Sequence, residues 1–470
     1  MRKDELIEYF NKAAPLRDQW KRRNRAYYED LLRLLRFIIP QDKCILEIGC
    51  GTGDFVAALN PRRGVGIDIS SEMIRIAKEK FPKHTFIEMD AENLYFTEKF
   101  DFVIMSDIVG HLEDVQKAFE RLHTVIDEKS RVIVNYYNFF WEPILRLAEK
   151  AGLKMPQQRL NWLNQKDIEN LLELADFDVI KRGQRFLFPK KIPIISSFFN
   201  RYLSQLPFFR KISIYEYVIA RKKIFKSVNT DYSSSIIIPA RNEKGNIENG
   251  ILRMPKIGSH TEIIFIEGNS NDGTLDEIKR VVDKYKGEMD LKYAVQEGKG
   301  KGDAVRKGFA LAKGDILFIL DADLTVPPED LPKFYDVVAS GKGEFVNGCR
   351  LVYTMEKGAM RFLNLIGNKF FSIMFTWLLD QRFRDTLCGT KVIFKRDYEN
   401  LTANRHYFGE FDPFGDFDLI FGASKLNLKI VEVPIRYKER TYGETNISRF
   451  KHGLILLRMC LFAMRKIKFI

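Results

Sequence analysis

The stretch Cys44-Ile45-Leu46-Glu47-Ile48-Gly49-Cys50-Gly51-Thr52-Gly53 decides the fold of the first half of the chain. Its apolar opening predicts a buried strand over 44–48, and three glycines at alternate positions predict a tight turn that opens a helix at Asp54. Glycine in such a turn lets a ligand approach the backbone and leaves the N–H groups of the helix start facing it. Working outward, short apolar runs at 64–67, 85–89, 102–105 and 131–135 alternate with longer amphipathic stretches, as in a mainly parallel sheet. Runs at 178–182 and 215–220 are expected to close that sheet as an antiparallel pair.

A second series of apolar runs starts at 235–238 and continues at 262–266, 292–295, 316–320, 344–347 and 391–394. Between the two series, residues 222–234 are polar and aperiodic, which places a domain boundary near residue 230. A chain of 470 residues also exceeds what one hydrophobic core supports. The predicted architecture is therefore α/β with two domains, 1–228, which begins with helices, and 229–470. No repeat relates the halves, which read as two different folds.

With 45% hydrophobic and 30% charged residues the composition is that of a globular protein. The five cysteines (Cys44, Cys50, Cys349, Cys388, Cys460) have neither a CxxC nor a zinc-ligand spacing, which argues against a disulfide framework and suits a reducing compartment. The charged start of the chain shows no secretory signal. The most apolar run, 362–379, is broken by Asn364, Asn368 and Lys369, so no stretch qualifies cleanly as a membrane span. The net charge of +13 is unevenly placed: residues 181–226 hold 12 basic side chains against one acid, and residues 436–470 hold nine against two. Both segments interleave that charge with Phe, Ile and Leu. In the first of them, residues 186–214 form an insert between the last two strands. Its aromatic and aliphatic residues, with Arg201, Arg210 and Lys211 expected on the opposite face, fit either a helix lying in an anionic membrane interface or a lid over the glycine turn.

Three further segments give the first half its chemistry. Gly66-Ile67-Asp68 ends the second strand in an acid suited to grip ribose hydroxyls. Met89-Asp90-Ala91-Glu92 follows the third strand, and Phe100-Asp101-Phe102-Val103-Ile104-Met105-Ser106-Asp107 forms the fourth. With the glycine turn, these make residues 25–225 resemble the class I S-adenosylmethionine-dependent methyltransferases. The resemblance implies a Rossmann-like seven-stranded sheet with S-adenosylmethionine as cofactor. It also implies a cofactor site of Glu47, Gly49, Gly51, Gly53, Asp68, Ile69, Asp90, Ala91 and Ser106, with Asp68 on the ribose, Asp90-Ala91 at the adenine and the end of the fourth strand beneath the methionine part. Methyl transfer from a sulfonium needs little beyond alignment of nucleophile, methyl and sulfur. His111 is a candidate to take a proton from an acceptor hydroxyl, or else packs at a helix start. Tyr136, Tyr137, Asn138 and Trp141 are expected on the acceptor side.

The second half carries four motifs in order: Pro239-Ala240-Arg241-Asn242-Glu243, Glu267-Gly268-Asn269-Ser270, Gly300-Lys301-Gly302-Asp303 and Asp321-Ala322-Asp323. Two carboxylates at a strand end can reach one Mg2+ or Mn2+, directly or through water, and such an ion neutralises a departing diphosphate. Together the motifs resemble family 2 glycosyltransferases of the GT-A fold, in the branch of the dolichyl- or polyprenyl-phosphate mannose and glucose synthases, over residues 232–460. The resemblance implies a nucleotide-sugar site of Pro239, Ala240, Asn242, Glu243, Glu267, Lys301, Asp321, Ala322 and Asp323, with Asp321 and Asp323 on the metal. Where the family usually has Asp-Asp-Gly-Ser, this chain has Glu267-Gly268-Asn269-Ser270, which leaves base and donor open. Gly348-Cys349-Arg350 and Arg440-Thr441-Tyr442-Gly443 make Arg350 and Arg440 candidates for an acceptor phosphate. Asp416 and Asp418 fall where the family places its acceptor-side acid. A polyprenyl phosphate is already ionised and needs no base, whereas a sugar hydroxyl does.

The sequence thus predicts a bifunctional enzyme, a methyltransferase fused to an inverting glycosyltransferase that takes a sugar from a UDP or GDP donor. The acceptor is expected to be a polyprenyl or dolichyl phosphate at the membrane surface, or alternatively a saccharide hydroxyl. In that alternative the first half methylates a sugar or lipid, or serves as a docking module. The expected location is cytoplasmic, peripheral on the inner face of an anionic membrane. No RNP, zinc or helix-turn-helix signature is present, so nucleic acid is not an expected partner.

Overall fold

The computed structural model describes residues 3–156, 161, 163–225, 227–352, 362–403, 415–440, 442–443 and 449–470. The chain divides into two compact units, Met1–Lys223 with Lys468–Ile470, and Ile224–Ile467. Ile224 goes with the second because its side chain sits against Gly341, where an added Cβ would lie 2.8 Å from it.

Unit 1 begins with α1 (Lys3–Arg23) and α2 (Arg25–Ile38). It then runs through β1 (Cys44–Ile48), α3 (Asp54–Leu59), β2 (Arg63–Asp68), α4 (Ser71–Lys80), β3 (Thr85–Glu88), β4 (Phe102–Ser106), α5 (Val115–Leu122) and β5 (Arg131–Tyr137). After these come α6 (Glu142–Lys150), α7 (Gln165–Leu174), β6 (Phe177–Arg185), α8 (Ile195–Ser197), α9 (Pro207–Arg210) and β7 (Tyr215–Lys222). The seven-stranded sheet has the order β3-β2-β1-β4-β5-β7-β6, parallel except for β7, which runs antiparallel to both neighbours. Period-two alternation splits each central strand between two cores. Ile45, Phe102, Ile104 and Ile133 face α2, whose Leu31, Leu34, Leu35 and Ile38 recur at helical spacing. Leu46, Ile48, Val103, Met105, Val132 and Val134 face α5, through Val115, Ala118, Phe119 and Leu122. Burial on both faces is why these strands read as continuous apolar runs.

Unit 2 runs β8 (Ser234–Ala240), α10 (Ile247–Leu252), β9 (Thr261–Glu267), α11 (Thr274–Lys284), β10 (Asp290–Val295), α12 (Lys301–Leu311), β11 (Ile316–Ile319), α13 (Leu331–Ala339) and β12 (Phe345–Cys349). It ends with α14 (Phe362–Leu379), β13 (Lys391–Phe394), α15 (Lys395–Ala403), α16 (Asp416–Lys425), β14 (Ile430–Pro434) and α17 (Arg449–Ala463). Its sheet has the order β10-β9-β8-β11-β13-β12-β14, with β13 antiparallel between β11 and β12. Strand β14 is not among the runs expected from sequence. It pairs only β12, is mostly half-buried and ends in a proline, so it lacks the apolar continuity of a central strand. Among the described residues, no helix is long and apolar enough to cross a membrane.

Both sheets reverse strand order at their first strand, between β1 and β4 and between β8 and β11. Crevices at the carboxyl ends of parallel strands at such reversals are where open α/β sheets bind ligands. Gly49, Asp68, Ile69, Asp90, Ala91 and Ser106 line a cavity at the first, and Asp321 and Asp323 follow β11 at the second.

Candidate functional sites

At the first reversal, β1 leads into Gly49, Gly51 and Gly53, all at positive φ. Gly49 and Gly53 are required twice over, by conformation and by space. A Cβ at Gly49 would lie 2.6 Å from Ile108 Cδ1, and one at Gly53 2.6 Å from the Phe86 ring. The turn is locked to β2 through Asp68, whose Oδ2 accepts the Gly51 N–H at 2.9 Å while Oδ1 accepts the Ser70 N–H at 2.9 Å. Each oxygen has further acceptor capacity beside the cavity that Asp68 lines, and burial pushes the Asp68 carboxyl above its usual range.

The cavity beside this turn is lined by Gly49, Asp68, Ile69, Asp90, Ala91 and Ser106 among others, so these predicted cofactor residues converge. Gly51, Gly53 and Glu47 do not line it. Glu47 lies beneath the turn, 2% exposed, and accepts the Val56 N–H of α3 at 3.2 Å. Burial raises its pKa to about 8. His111 lines the cavity in a short turn after β4, edge-on to Phe10 at 5.1 Å, and its buried Nδ1 has no hydrogen-bond partner. Burial, with Arg17 and Lys154 nearby, lowers its pKa to about 3, so the ring is neutral at ordinary pH.

Sequence reasoning missed two features here. The first is the cover. Helix α1 lays Lys3, Leu6, Phe10 and Arg17 into the cavity. Lys3 Nζ pairs with Asp90 at 2.7 Å and Glu92 at 3.1 Å. Farther along, Lys21 donates to Thr52 Oγ1 at 2.9 Å and to Asp54 at 2.5 Å. Lys80 ties Asp18 to Asp54 at 2.8 and 3.0 Å. The spacing of Lys3, Leu6, Phe10, Ala14, Arg17 and Lys21 along one helical face was the available signal. No residue of the 186–214 insert lines the cavity, so the lid reading of that insert is replaced by α1. The second is Asp107, in the left-handed region at φ 55, which lines the cavity next to Ser106. It accepts the Tyr27 hydroxyl at 2.8 Å and Asn135 Nδ2 at 3.1 Å, and burial raises its pKa to about 6.

At the second reversal, β8 ends at Ala240, whose carbonyl accepts the Gly268 N–H at 2.8 Å, with half-buried Pro239 before it. Asn242 sits at φ 56 and bridges to the next loop: its N–H meets Ser270 Oγ and its Oδ1 accepts the Asn271 N–H, both at 3.0 Å. Glu267 is buried and accepts the Ser270 N–H at 2.6 Å. After β11, Asp321 pairs with Lys301 Nζ at 2.6 Å, at the start of α12. Burial raises and Lys301 lowers the Asp321 carboxyl, with Lys391 and Arg350 adding to the net depression. Gly389 fits here because a Cβ would collide with the Asp321 carboxylate and the Lys301 ammonium. Ala322 is buried, and Asp323 accepts from Thr325 N and Oγ1 at 3.1 and 2.8 Å. Arg440 bridges the two halves of the crevice, donating to Asp323 Oδ2 and to Glu243 Oε1, each at 2.7 Å. The donor set fits a hard cation: two carboxylates at one strand end, each balanced by a side-chain cation. Among the described residues no third His, Cys, Asp or Glu joins them.

Arg350 is placed differently from its expected role. Its Nε and Nη2 form a fork onto Asp385 at 2.7 and 2.8 Å, the backbone N–H of Arg350 adds a third bond at 3.0 Å, and the guanidinium lies over Tyr437. That charge is spent holding a buried carboxylate, whose pKa falls to about 2 because Arg350 and its hydrogen bonds outweigh burial. Asp418 is buried near the start of α16. Gly415 caps that helix and approaches Gly302, where a Cβ would stand 2.6 Å from its Cα. The Asp416 side chain, Thr441 and residues 444–446 lie outside the described residues.

Each unit thus gathers charged side chains at the carboxyl ends of its central parallel strands. In the comparisons, residues 20–182 match the model of a methyltransferase domain, and residues 235–402 match the model of glycosyl transferase family 2. The chain is a fusion of a methyltransferase domain with a family 2 glycosyltransferase domain. The methyltransferase fold supports S-adenosylmethionine as the cofactor of unit 1. The chain is similar to glycosyltransferase AglJ of Haloferax volcanii, 28% identical over 47% of this chain and 68% of that one. It is also similar to dolichol-phosphate mannosyltransferase of Saccharomyces cerevisiae, 37% identical over 22% of this chain and 39% of that one. Unit 1 is similar to the ubiquinone/menaquinone biosynthesis C-methyltransferase UbiE of Campylobacter jejuni, 30% identical over 28% of this chain and 63% of that protein. The last two alignments span less than two thirds of the relatives' length.

Proposed function

We propose that unit 2 transfers a sugar from a nucleoside diphosphate donor to a polyprenyl or dolichyl phosphate, and that unit 1 methylates an acceptor with S-adenosylmethionine. The observation that carries the first part is the crevice in which Lys301, Arg440, Glu243, Asp321 and Asp323 alternate in charge. Asp321 and Asp323 would hold Mg2+ or Mn2+, which supplies neutralisation of the departing diphosphate. Lys301 balances Asp321 and adds positive charge on the donor side. Arg440, anchored on Glu243, offers its other nitrogen to an anion entering over Asp323, so an acceptor phosphate exchanges a carboxylate partner for itself. An ionised phosphate attacks the anomeric carbon without a base. A lipid-borne acceptor is further supported by α14 and α17, which pack on each other and leave Phe370, Ile373, Leu454 and Leu461 exposed. The name of the yeast relative points to the same acceptor class. These features favour a peripheral position on an anionic membrane.

Donor and ion are tested together by thermal melting. With Mn2+ present, UDP or GDP at 100 times its dissociation constant raises the stability of unit 2 by about 2.7 kcal/mol, and neither component alone does so as strongly. A nucleotide shift of the same size without any divalent ion refutes the ion assignment.

In unit 1, the neutral His111 is a weak base, and Asp107, with its pKa near 6, is the better proton acceptor. Methyl transfer to a hydroxyl or acidic carbon is expected to rise with pH through about 6, and Asp107→Asn should remove that limb. The sign for stability is opposite. Folded Asp107 keeps a proton between the ordinary carboxylate range and about 6, so its favourable contribution is complete below that range and lost as pH rises through 6. Asp107→Asn should therefore raise the melting temperature by several degrees at pH 8 and leave it unchanged at pH 4. A pH profile identical to the parent's contradicts the role.

A further inference from the structure

The insert between β6 and β7 is folded inside out. Between Ile195 and Gln205 the chain is continuously helical. Its inward stripe at four-residue spacing is polar: Ser196, Asn200 and Ser204 are 9%, 7% and 0% exposed. Asn200 Oδ1 accepts the Leu187 and Phe188 N–H groups at 2.9 and 2.7 Å, and its Nδ2 donates to the Phe188 carbonyl at 2.9 Å. Ser196 Oγ bonds Lys190 O and Ile192 O at 2.7 and 2.8 Å. These bonds fix the orientation of the helix, and they fix it with its apolar side outward. Ile194, Phe198 and Phe208 are 85%, 54% and 74% exposed, with Ile195 and Tyr202 beside them. An ordinary surface helix shows the reverse arrangement. The basic residues do not form the opposite face expected from sequence, since that face is neutral and buried; Lys190, Arg201 and Lys211 are exposed amid and at the ends of the apolar surface.

The strand end beside the cavity of unit 1 is tied to this insert. Tyr137, which lines that cavity, ends β5, and the next residues are bonded to the insert. Asn138 Nδ2 donates to Lys211 O and Ser213 O at 3.0 and 2.9 Å, and Trp141 Nε1 donates to Ile212 O at 2.8 Å. From there Phe139 and Phe140, and then Leu147 of α6, are again exposed.

We propose that the 194–208 face and the 139–147 segment form one docking surface for an anionic lipid bilayer, and that it presents a membrane-borne amphiphile to unit 1 for methylation. Apolar side chains enter the acyl boundary while the flanking ammonium and guanidinium groups meet lipid phosphates, the combination such segments need. Of the basic residues of this segment, Lys181, Arg185 and Arg221 are buried and Arg182 and Lys191 pair with Glu169 and Glu29, so the charge complementary to such a surface is that of Lys190, Arg201 and Lys211, exposed beside the apolar side chains. The assignment of the amphiphile rests on the methyltransferase reading of unit 1.

The test uses the full chain and vesicles of phosphatidylcholine with about 30 mol% phosphatidylglycerol, compared with phosphatidylcholine alone. The protein should pellet with the anionic vesicles, and Phe198→Gln with Phe208→Gln should lower the partition coefficient at least tenfold. Both side chains are exposed, so the fold is retained, and S-adenosylmethionine affinity by calorimetry should match the parent's. In a Cys44→Ser background, an environment-sensitive fluorophore on Phe140→Cys should shift its emission to the blue when anionic vesicles are added. Equal pelleting of parent and variant, or none by the parent, overturns the docking surface. A concentration-dependent dimer that the same variant dissolves while vesicles are ignored gives this face to a second copy and also overturns it. An unshifted fluorophore overturns the presentation of the acceptor. Absence of S-adenosylmethionine binding by the parent refutes the methyltransferase reading and leaves the vesicle result to stand by itself.

Discussion

Asp323→Ala should lower sugar transfer by at least about 10^3-fold while leaving the affinity of unit 1 for S-adenosylmethionine unchanged. The side chain has two roles in unit 2. Its Oδ1 organises the turn after β11 through the N–H and hydroxyl of Thr325, and its Oδ2 meets Arg440. Without the carboxylate, a divalent ion would keep only Asp321, and Arg440 would keep only Glu243 of its two carboxylate partners. Asp323→Asn separates the two roles, because an amide oxygen still accepts from Thr325 yet is a poor ligand for a hard cation. It should retain the parent's melting temperature and lose transfer nearly as fully. A full-rate Asp323→Ala protein would remove the ion from the account. Unit 1 is independent here, since Asp68 and Asp323 belong to different compact units.

The second large effect is expected at Asp68. Its carboxylate accepts two backbone N–H groups and lines the cavity where a ribose would sit. Charge-assisted hydrogen bonds are worth about 1.5–3 kcal/mol each, so losing those to two ribose hydroxyls weakens S-adenosylmethionine binding at least tenfold. Asp68→Ala also leaves the Gly51 and Ser70 N–H groups without their acceptor, so part of the loss reflects a looser glycine turn. Asp68→Asn keeps one acceptor oxygen and should fall between parent and Ala. Unchanged affinity in calorimetry for both variants would refute the ribose role.

The sequence made the two reversals legible and left the partners of their charges hidden. Glu47 to Gly53 and Asp321-Ala322-Asp323 stand out because each packs its constraint into adjacent residues: a glycine where a Cβ cannot fit, or two acids at a strand end. Nothing local says that Lys3 reaches Asp90, that Arg440 reaches Asp323 and Glu243, or that Arg350 is consumed by Asp385. Those pairs are distant in the chain, and a charged side chain announces its chemistry without naming its partner. Asp107 is visible at the end of the fourth strand, but its raised pKa comes from burial, which the hydrogen bond from Tyr27 of α2 only partly offsets, and neither is local in the chain. The 186–214 insert shows the same division. Its apolar and basic composition was readable, whereas the inward turn of Ser196, Asn200 and Ser204 depends on backbone acceptors and donors in the loop preceding the helix.

The most direct test of the fusion's proposed chemistry is an organic-phase assay with the full chain, Mn2+, labelled UDP- and GDP-sugars, and dolichyl phosphate in detergent. The account predicts label in a lipid-soluble product that mild acid releases as free sugar, dependent on the divalent ion and absent with Asp323→Ala. Label found only on a water-soluble saccharide acceptor, or formed equally by Asp323→Ala, would contradict it.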